Sequence, residues 1–241
     1  AKLLKQLLKE DSVDSSGLIS SAARMTTRKT RVVAHQQQML RVDRETNDAA
    51  EPRVTKRLLG AIEAELDTTN AVIICDYSKG AVTQELLDGL RTLCKPRGIW
   101  LSFDPKPAHQ LDLAAMSLIT PNRGELFALA GLPDEATETS LNAAVAAVQE
   151  KFEPAIMLVT LSEHGMLLCP RGEKPTLIPT VAQEIYDVSG AGDTVIASFT
   201  LAIAAGASPA EAAVFSNHAA GVVVRKLGTA TVTPRELLAS F

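Results

Sequence analysis

The sequence predicts an α/β fold built around a mostly parallel sheet, and three observations lead there. From Ala71 onward, short apolar runs alternate with amphipathic stretches, the pattern of strands crossed over by helices. Each apolar run is bounded by Gly, Pro or Asp. Beyond Gly190 the pattern changes to two long helical segments with Gly206 and Gly228 as stop signals.

The elements follow in order. Residues 1–10 place Leu3, Leu4, Leu7 and Leu8 on one helical face with Lys2, Lys5 and Lys9 elsewhere, a face that more often packs on a core than on a membrane surface. Residues 30–34 and 39–42 resemble two strands joined by the polar His35-Gln36-Gln37-Gln38, and residues 43–70 read as a linker and a charged helix. Strands are expected at 72–75, 99–103, 117–119, 156–160 and 166–168, with a helix at 84–94. The last two long helices are expected at 191–205 and 209–226. Ser208-Pro209-Ala210-Glu211 and Thr233-Pro234-Arg235-Glu236 each combine a capping hydroxyl, a Pro at the first helical position and a Glu that can reach back to the cap.

Bulk properties narrow the function. With 241 residues, 46% of them hydrophobic, the chain can bury a sizeable core. A net charge of −4 argues against binding a phosphate backbone, which needs clustered Lys and Arg, so nucleic acid is not an expected partner. Cys75, Cys94 and Cys169 lie far apart in apolar contexts, and His35, His109, His164 and His218 are equally scattered, so neither a disulfide framework nor a metal cluster is indicated. That cysteine usage fits a reducing, cytoplasmic setting. No apolar run approaches the roughly 20 residues that span a bilayer, so no membrane association is expected. The chain opens on Ala1 rather than Met and lacks the features of a signal peptide, which points to a fragment or a processed product.

The sharpest chemical signal is Asp187-Val188-Ser189-Gly190-Ala191-Gly192-Asp193-Thr194, a turn of small residues feeding an apolar helix. Glycines let backbone amides converge, and a helix N-terminus adds partial positive charge, so the turn suits a transferring phosphoryl group. A carboxylate there would repel phosphate, so Asp193 reads as a base that removes a hydroxyl proton. Taken alone, the segment is better read as a tight strand-to-helix turn whose Asp favours the helix dipole. A second segment, Thr120-Pro121-Asn122-Arg123-Gly124-Glu125, is on its own a plain capping box with Asn122 as N-cap and Glu125 three residues on. A third, Val159-Thr160-Leu161-Ser162-Glu163-His164-Gly165-Met166, is a strand end and hairpin in which Gly165 permits a turn with positive φ.

Together these segments resemble the ribokinase-like carbohydrate kinases, the PfkB family. The resemblance implies a three-layer sandwich with a mostly parallel sheet and a small β lid, residues 1–70 forming a partial N-terminal region with the lid strands and 71–241 the ATP-binding and catalytic core. It makes Asp193 the catalytic base and the amides of Gly190, Ala191 and Gly192 the anion hole. Asn122 and Glu125 match an Asn-x-x-Glu motif that organises Mg²⁺ and water around the ATP phosphates. Thr160, Ser162 and Gly165 match the ATP-side loop, and Asn217 and Gly221, in Asn217-His218-Ala219-Ala220-Gly221, match the segment lining the adenine pocket; close helix packing explains those small residues equally well. In several relatives a monovalent cation such as K⁺ lies near the positions of Asp187 and Ser189.

Substrate choice rests on earlier residues. Ile74-Cys75-Asp76-Tyr77-Ser78-Lys79-Gly80 resembles the strand end where an acid, here Asp76, meets sugar hydroxyls, and a carboxylate can accept two hydroxyl hydrogens. Lys79 and Lys106 are candidates for a sugar phosphate, though two lysines near an acidic pocket are also commonly solvated. The Ser162-Glu163-His164-Gly165-Met166 loop and the lid-side segments 27–33 and 37–43 are similar to those of the heptose-7-phosphate kinases within the family. That likeness implies D-glycero-D-manno-heptose 7-phosphate as acceptor, on the way to ADP-heptose and lipopolysaccharide. Other sugars or nucleosides, and a non-catalytic binding role, are the alternatives. The resemblance starts at about Asp14 and lacks the family's N-terminal βα portion, and no nucleotidyltransferase segment of the kind fused to some heptose kinases follows Phe241. A homodimer through the lid strands is a further expectation from the family.

Overall fold

A computed structural model describes residues 2–34, 37–107, 110–182 and 184–241; His35, Gln36 and His109 lie outside them. In chain order the elements are α1 (Lys2–Glu10), β1 (Arg28–Ala34), β2 (Gln37–Arg44), α2 (Pro52–Glu63), β3 (Ala71–Cys75), α3 (Gln84–Cys94), β4 (Trp100–Asp104), β5 (Leu118–Ile119), α4 (Arg123–Ala130), α5 (Glu138–Phe152), β6 (Ile156–Thr160), β7 (Met166–Pro170), β8 (Thr176–Ile178), α6 (Ala191–Ala204), α7 (Pro209–Val223) and α8 (Pro234–Leu238). They group into two compact units, one of residues 1–68 and 77–93, the other of 69–76 and 94–241. Residues 77–93, with Lys79, thus belong to the same unit as the N-terminal region.

In the first unit, β1 and β2 form an antiparallel ribbon in which Arg28 faces Arg44 and a bulge interrupts the register between Val32 and Val33. Gln37 and Gln38 are part of β2 rather than of the linker expected there. The side chain of Arg24 donates to the backbone carbonyls of Asp48 and Lys79, and Ala50 N–H donates to Gly80 O at 2.7 Å. Gly80 has φ +69°, and a Cβ there would sit 1.9 Å from the Asp48 carbonyl oxygen, so no other residue fits this turn. The leucine face of α1 does not enter a core: no residue of this helix is buried, and Leu3 stays 68% exposed.

The second unit carries the sheet. Its described strands run in the order β3-β4-β5-β6-β7-β8, parallel from β3 to β6 and antiparallel from β6 to β8. Leu118, Ile156, Leu158, Met166 and Leu168 of the sheet bury one face against Val195, Ile196, Phe199 and Ala202 of α6 and Ala212, Ala213 and Ala220 of α7. Alternate residues such as Ile119, Met157, Val159, Leu167 and Cys169 are also buried. They face the other way by the two-residue period of a strand, on the side of α4 and α5, whose Leu126, Leu141, Val145, Val148 and Phe152 are buried in turn. The predicted α/β fold is therefore present, with helices on both faces of a mostly parallel sheet. Among the described residues no helix is long and apolar enough to cross a membrane.

A buried polar link fixes α6 on the sheet. Ser102 Oγ of β4 and Thr200 Oγ1 of α6 are 2.6 Å apart, and Trp100 Nε1–H donates to the same Ser102 oxygen at 2.9 Å. Helix α7 ends at Val223, short of the expected Lys226, because the Val224 carbonyl turns to accept the N–H groups of Tyr186 and Asp187 at 2.8 and 3.2 Å. Phe199 is fully buried where α6 meets the sheet. Phe199→Ala is expected to destabilise the protein by about 3–5 kcal/mol through lost burial and a residual cavity, read as a lower urea midpoint in circular dichroism.

Candidate functional site

The polar residues of the second unit collect at the carboxyl ends of the parallel strands, where ligands bind in open α/β sheets. Strand β3 runs into Asp76, which is 1% exposed, and its N–H donates to the carbonyl of Asp104 at the end of β4 (3.2 Å). Next, β5 leads into Asn122, the N-cap of α4. Asn122 Oδ1 accepts from Glu125 N–H at 2.9 Å, while Asn122 N–H donates to Glu125 Oε2 at 2.9 Å. The capping box read from the sequence is therefore formed in full.

Glu125 also has a charged partner. Its Oε1 accepts from the ammonium of Lys106, and the same ammonium is 3.8 Å from Asp104 Oδ2. Asp104 accepts a weaker bond from Thr120 Oγ1 at 3.4 Å. Burial pushes the Asp104 carboxyl up from an ordinary 3.8 to about 6; Lys106 and Thr120 oppose the shift, and the negative charges of Glu125 and Asp193 add to it. Burial by itself depresses the Lys106 ammonium, but its bond to Glu125 and the charges of Asp104, Glu125 and Asp193 outweigh that and raise it. Asp193 thus lies within electrostatic reach of this cluster.

Asp193 occupies the first turn of α6. The helix is entered through Gly190 at φ +84°, ψ 2°, a left-handed conformation that glycine adopts without strain. Thr194 caps the turn from within, its N–H and its Oγ1 both donating to Gly190 O at 2.9 Å. The N–H groups of a first helical turn lack intrahelical acceptors, although Ala191 N–H donates to Val188 O at 3.2 Å. Just before the turn, Asp187 ties two segments together: Oδ1 accepts from Ser189 N–H at 2.8 Å and Oδ2 from Gly228 N–H at 3.1 Å.

The remaining predicted residues shape the neighbouring loops. Thr160 ends β6 and pairs with Asn122, its N–H donating to Pro121 O at 3.0 Å. Ser162 opens a short 3₁₀ turn, and Gly165 closes it at φ +92°. A Cβ on Gly165 would lie 2.1 Å from the Ile178 carbonyl oxygen, so the hairpin requires glycine. Asn217 is buried and donates from Nδ2 to Pro179 O at 2.7 Å. Gly221 lets α7 approach the same loop, where a Cβ would come within 2.9 Å of Val181 Cγ2. Both residues thus position segment 179–182. Lys79, in the other unit, is paired with Glu45 at 2.6 Å.

Sequence reasoning did not single out Asp104. The available signal was an acid ending an apolar strand and followed by Pro105-Lys106. Among the described residues no three His, Cys, Asp or Glu side chains are placed to hold a metal ion by themselves. The paired carboxylates of Asp104 and Glu125 nevertheless suit Mg²⁺, which keeps several waters and needs only one or two carboxylates once phosphates are bound. The Cys169 thiol, pushed up to about 12 by burial, is inert. A cavity of about 320 Å³ lined by Leu18, Ile19, Met25, Val54 and Leu58 lies in the first unit and contains none of the predicted site residues.

The raised carboxyl of Asp104 has a thermodynamic consequence. The folded protein keeps this proton between pH 4 and 6, where the unfolded chain has lost it, so stability from this group is present at low pH and lost as pH rises through that window. A shift from 3.8 to about 6 corresponds to up to about 3 kcal/mol. Asp104→Asn should therefore be more stable than the native chain at pH 7.5 and lose most of that advantage at pH 4.5, as measured by urea unfolding. An equal difference at both pH values would contradict the assignment.

Comparison with known proteins shows the family and the fold. The profile described as pfkB family carbohydrate kinase matches residues 1–236, so the match begins ahead of the expected Asp14. Bifunctional protein HldE of Sulfurimonas denitrificans is 38% identical over 234 residues, covering 97% of this chain and 48% of that protein. HldE of Helicobacter pylori is 40% identical over 230 residues, covering 95% of this chain and 49% of that protein. The chain spans about half the length of the curated relatives it matches. Among solved structures, phosphofructokinase-2 of Escherichia coli in complex with potassium superposes with a TM-score of 0.79 at 19% identity, over 99% of this chain and 76% of that one. Ribokinase of Arabidopsis thaliana, complexed with ribose and ATP, gives 0.72 at 21% identity, over 90% and 69%. The fold is ribokinase-like, and the chain belongs to the pfkB family of carbohydrate kinases.

Proposed function

We propose that this chain carries the site at which the γ-phosphoryl group of ATP passes to the anomeric O1 of D-glycero-D-manno-heptose 7-phosphate, giving the 1,7-bisphosphate and ADP. The observation that carries the reading is Asp193 in the first turn of α6, in the electrostatic field of the Asp104–Lys106–Glu125 cluster. Asp193 accepts the proton of O1 as O1 bonds to the γ-phosphorus and the bond to the bridging oxygen of ADP breaks. With Ala191 N–H engaged by Val188, Gly190 and Gly192 carry the anion hole. Asn122 and Glu125 would arrange, through water, a Mg²⁺ arriving with the nucleotide, which would supply charge neutralisation for the phosphates.

Thr160, Ser162 and Gly165 then border the nucleotide, with the loop that Asn217 and Gly221 hold on its adenine side. Asp76 meets sugar hydroxyls. A monovalent cation such as K⁺ would lie beside Asp187 and Ser189, where Asp187 closes the loop onto Gly228. The homodimer implied by the family would use the β1–β2 ribbon, on which Val32, Met39 and Leu40 are exposed. The substrate rests on the Ser162–Met166 loop and the lid-side segments. A second reading has an observation of its own: Lys79 is held by Glu45 and Lys106 by Glu125, so neither ammonium is turned to a sugar phosphate, which favours an unphosphorylated acceptor.

ADP release from ATP and Mg²⁺ should be measured with the heptose phosphate, ribose and fructose 6-phosphate in parallel. The expected result is turnover with the heptose phosphate alone, lowered about 10²–10⁴-fold in Asp193→Asn, the size of a lost general base, with the circular dichroism spectrum unchanged. Turnover only with another sugar would replace the acceptor. Sugar or nucleotide binding without ADP formation would favour a non-catalytic relative.

A further inference from the structure

The carboxylate that the Asn-x-x-Glu motif would offer to a cation is already engaged at both oxygens. Glu125 Oε2 is held by Asn122 N–H at 2.9 Å. Glu125 Oε1 is held by the ammonium of Lys106, which also lies 3.8 Å from Asp104 Oδ2 and feels the charge of Asp193. The one lysine therefore offsets part of the mutual repulsion of three carboxylates, Asp104, Glu125 and Asp193. With every group ionised, three negative charges and one positive leave a net of −2.

We propose that Lys106 is a positioning residue that occupies the divalent cation's place in the nucleotide-free protein, holding Glu125 and Asp104 together until the cation arrives with nucleotide and displaces the ammonium from Glu125 Oε1. The inference rests on the kinase reading and concerns the same site. An ammonium on a flexible four-carbon stem is suited to the exchange: it neutralises charge without imposing a rigid fork and can swing aside into water. The Lys106 side chain keeps 35% of its surface exposed, so that route is open. Without nucleotide, an incoming cation must break the Lys106–Glu125 pair and meets a field already reduced by one positive charge. With nucleotide, the phosphates supply further ligands and negative charge, and the exchange becomes favourable. Lys106 thereby makes cation binding conditional on nucleotide. A lysine that instead binds the substrate's phosphate would have to leave two carboxylates of its own protein to do so.

The test uses Mn²⁺ as the probe, with free ion followed by electron paramagnetic resonance in the full chain without nucleotide. Lys106→Gln should bind Mn²⁺ on the order of tenfold more tightly than the native chain, since one positive charge a few ångströms away has been removed. Lys106→Met keeps the stem and should show the same gain if the Gln variant folds poorly. Lys106→Arg should return to weak binding, and adding Glu125→Gln to Lys106→Gln should abolish the gain. Native Mn²⁺ affinity in a folded Lys106→Gln or Lys106→Met protein overturns the proposal. So does a raised KM for a sugar phosphate with Mn²⁺ binding unchanged, which would make Lys106 a substrate ligand. If Asp193→Asn keeps full turnover while the Mn²⁺ gain appears, Asp193 is not the base and the cation exchange stands; if no tested sugar is turned over while the gain appears, the kinase reading fails and the exchange stands as a cation site alone.

Discussion

The site depends on where α6 begins, and that is decided by packing well away from its first turn. Ser102 and Thr200 share a buried hydrogen bond between β4 and α6, and Phe199 fills the adjoining core. A buried hydroxyl without a partner costs about 1–3 kcal/mol, so this pair disfavours any sliding of the helix that would separate its members. With α6 fixed along β4, its N-terminus falls at the carboxyl end of that strand, and Asp193 comes within the field of Asp104. The left-handed Gly190 then lets the chain enter the helix at an angle that a residue with a Cβ would adopt only under strain.

The second constraint is charge. Three carboxylates near one strand edge would repel one another, and burial of Asp104 makes its ionisation costlier still. The fold answers with one lysine rather than with apolar replacement, keeping the region anionic. An anionic pocket is a poor site for a bare phosphate and a good one for a phosphate that arrives with its metal. In the proposed function the turn and the acidic cluster would thus be complementary: the turn would address the transferring group, and the acids the cation that accompanies it.

Much of this was legible in sequence because the signals were local. The strand at 156–160 and the helix at 84–94 coincide with their observed bounds, and the caps at Asn122, Ser208 and Thr233 all form capping boxes. Helix α5 is not among the expected elements, although Leu141, Ala144, Val145 and Val148 repeat at helical spacing. Strand β8 is three residues long, with Thr176 and Leu177 exposed, so it offers almost no pattern to read. The partners of Lys106 were not legible for a different reason. Lys106 and Glu125 are 19 residues apart, one on the loop after β4 and the other in the first turn of α4 after β5, which meet because β4 and β5 lie side by side, and no periodicity encodes that contact.

The Asn122–Glu125 motif shows why its two readings did not compete. As a capping box, Asn122 binds the Glu125 amide and Glu125 binds the Asn122 amide, which stabilises the start of α4. The same geometry consumes one carboxylate oxygen and holds Glu125 in place, leaving Oε1 on the Lys106 ammonium. A free glutamate would lose side-chain entropy on meeting a hydrated cation, whereas one already locked by its cap has lost it during folding. In the proposed function the structural role would therefore be the means of preorganisation. A substitution that keeps the carboxylate but breaks the cap would loosen the site without removing a single charge from it.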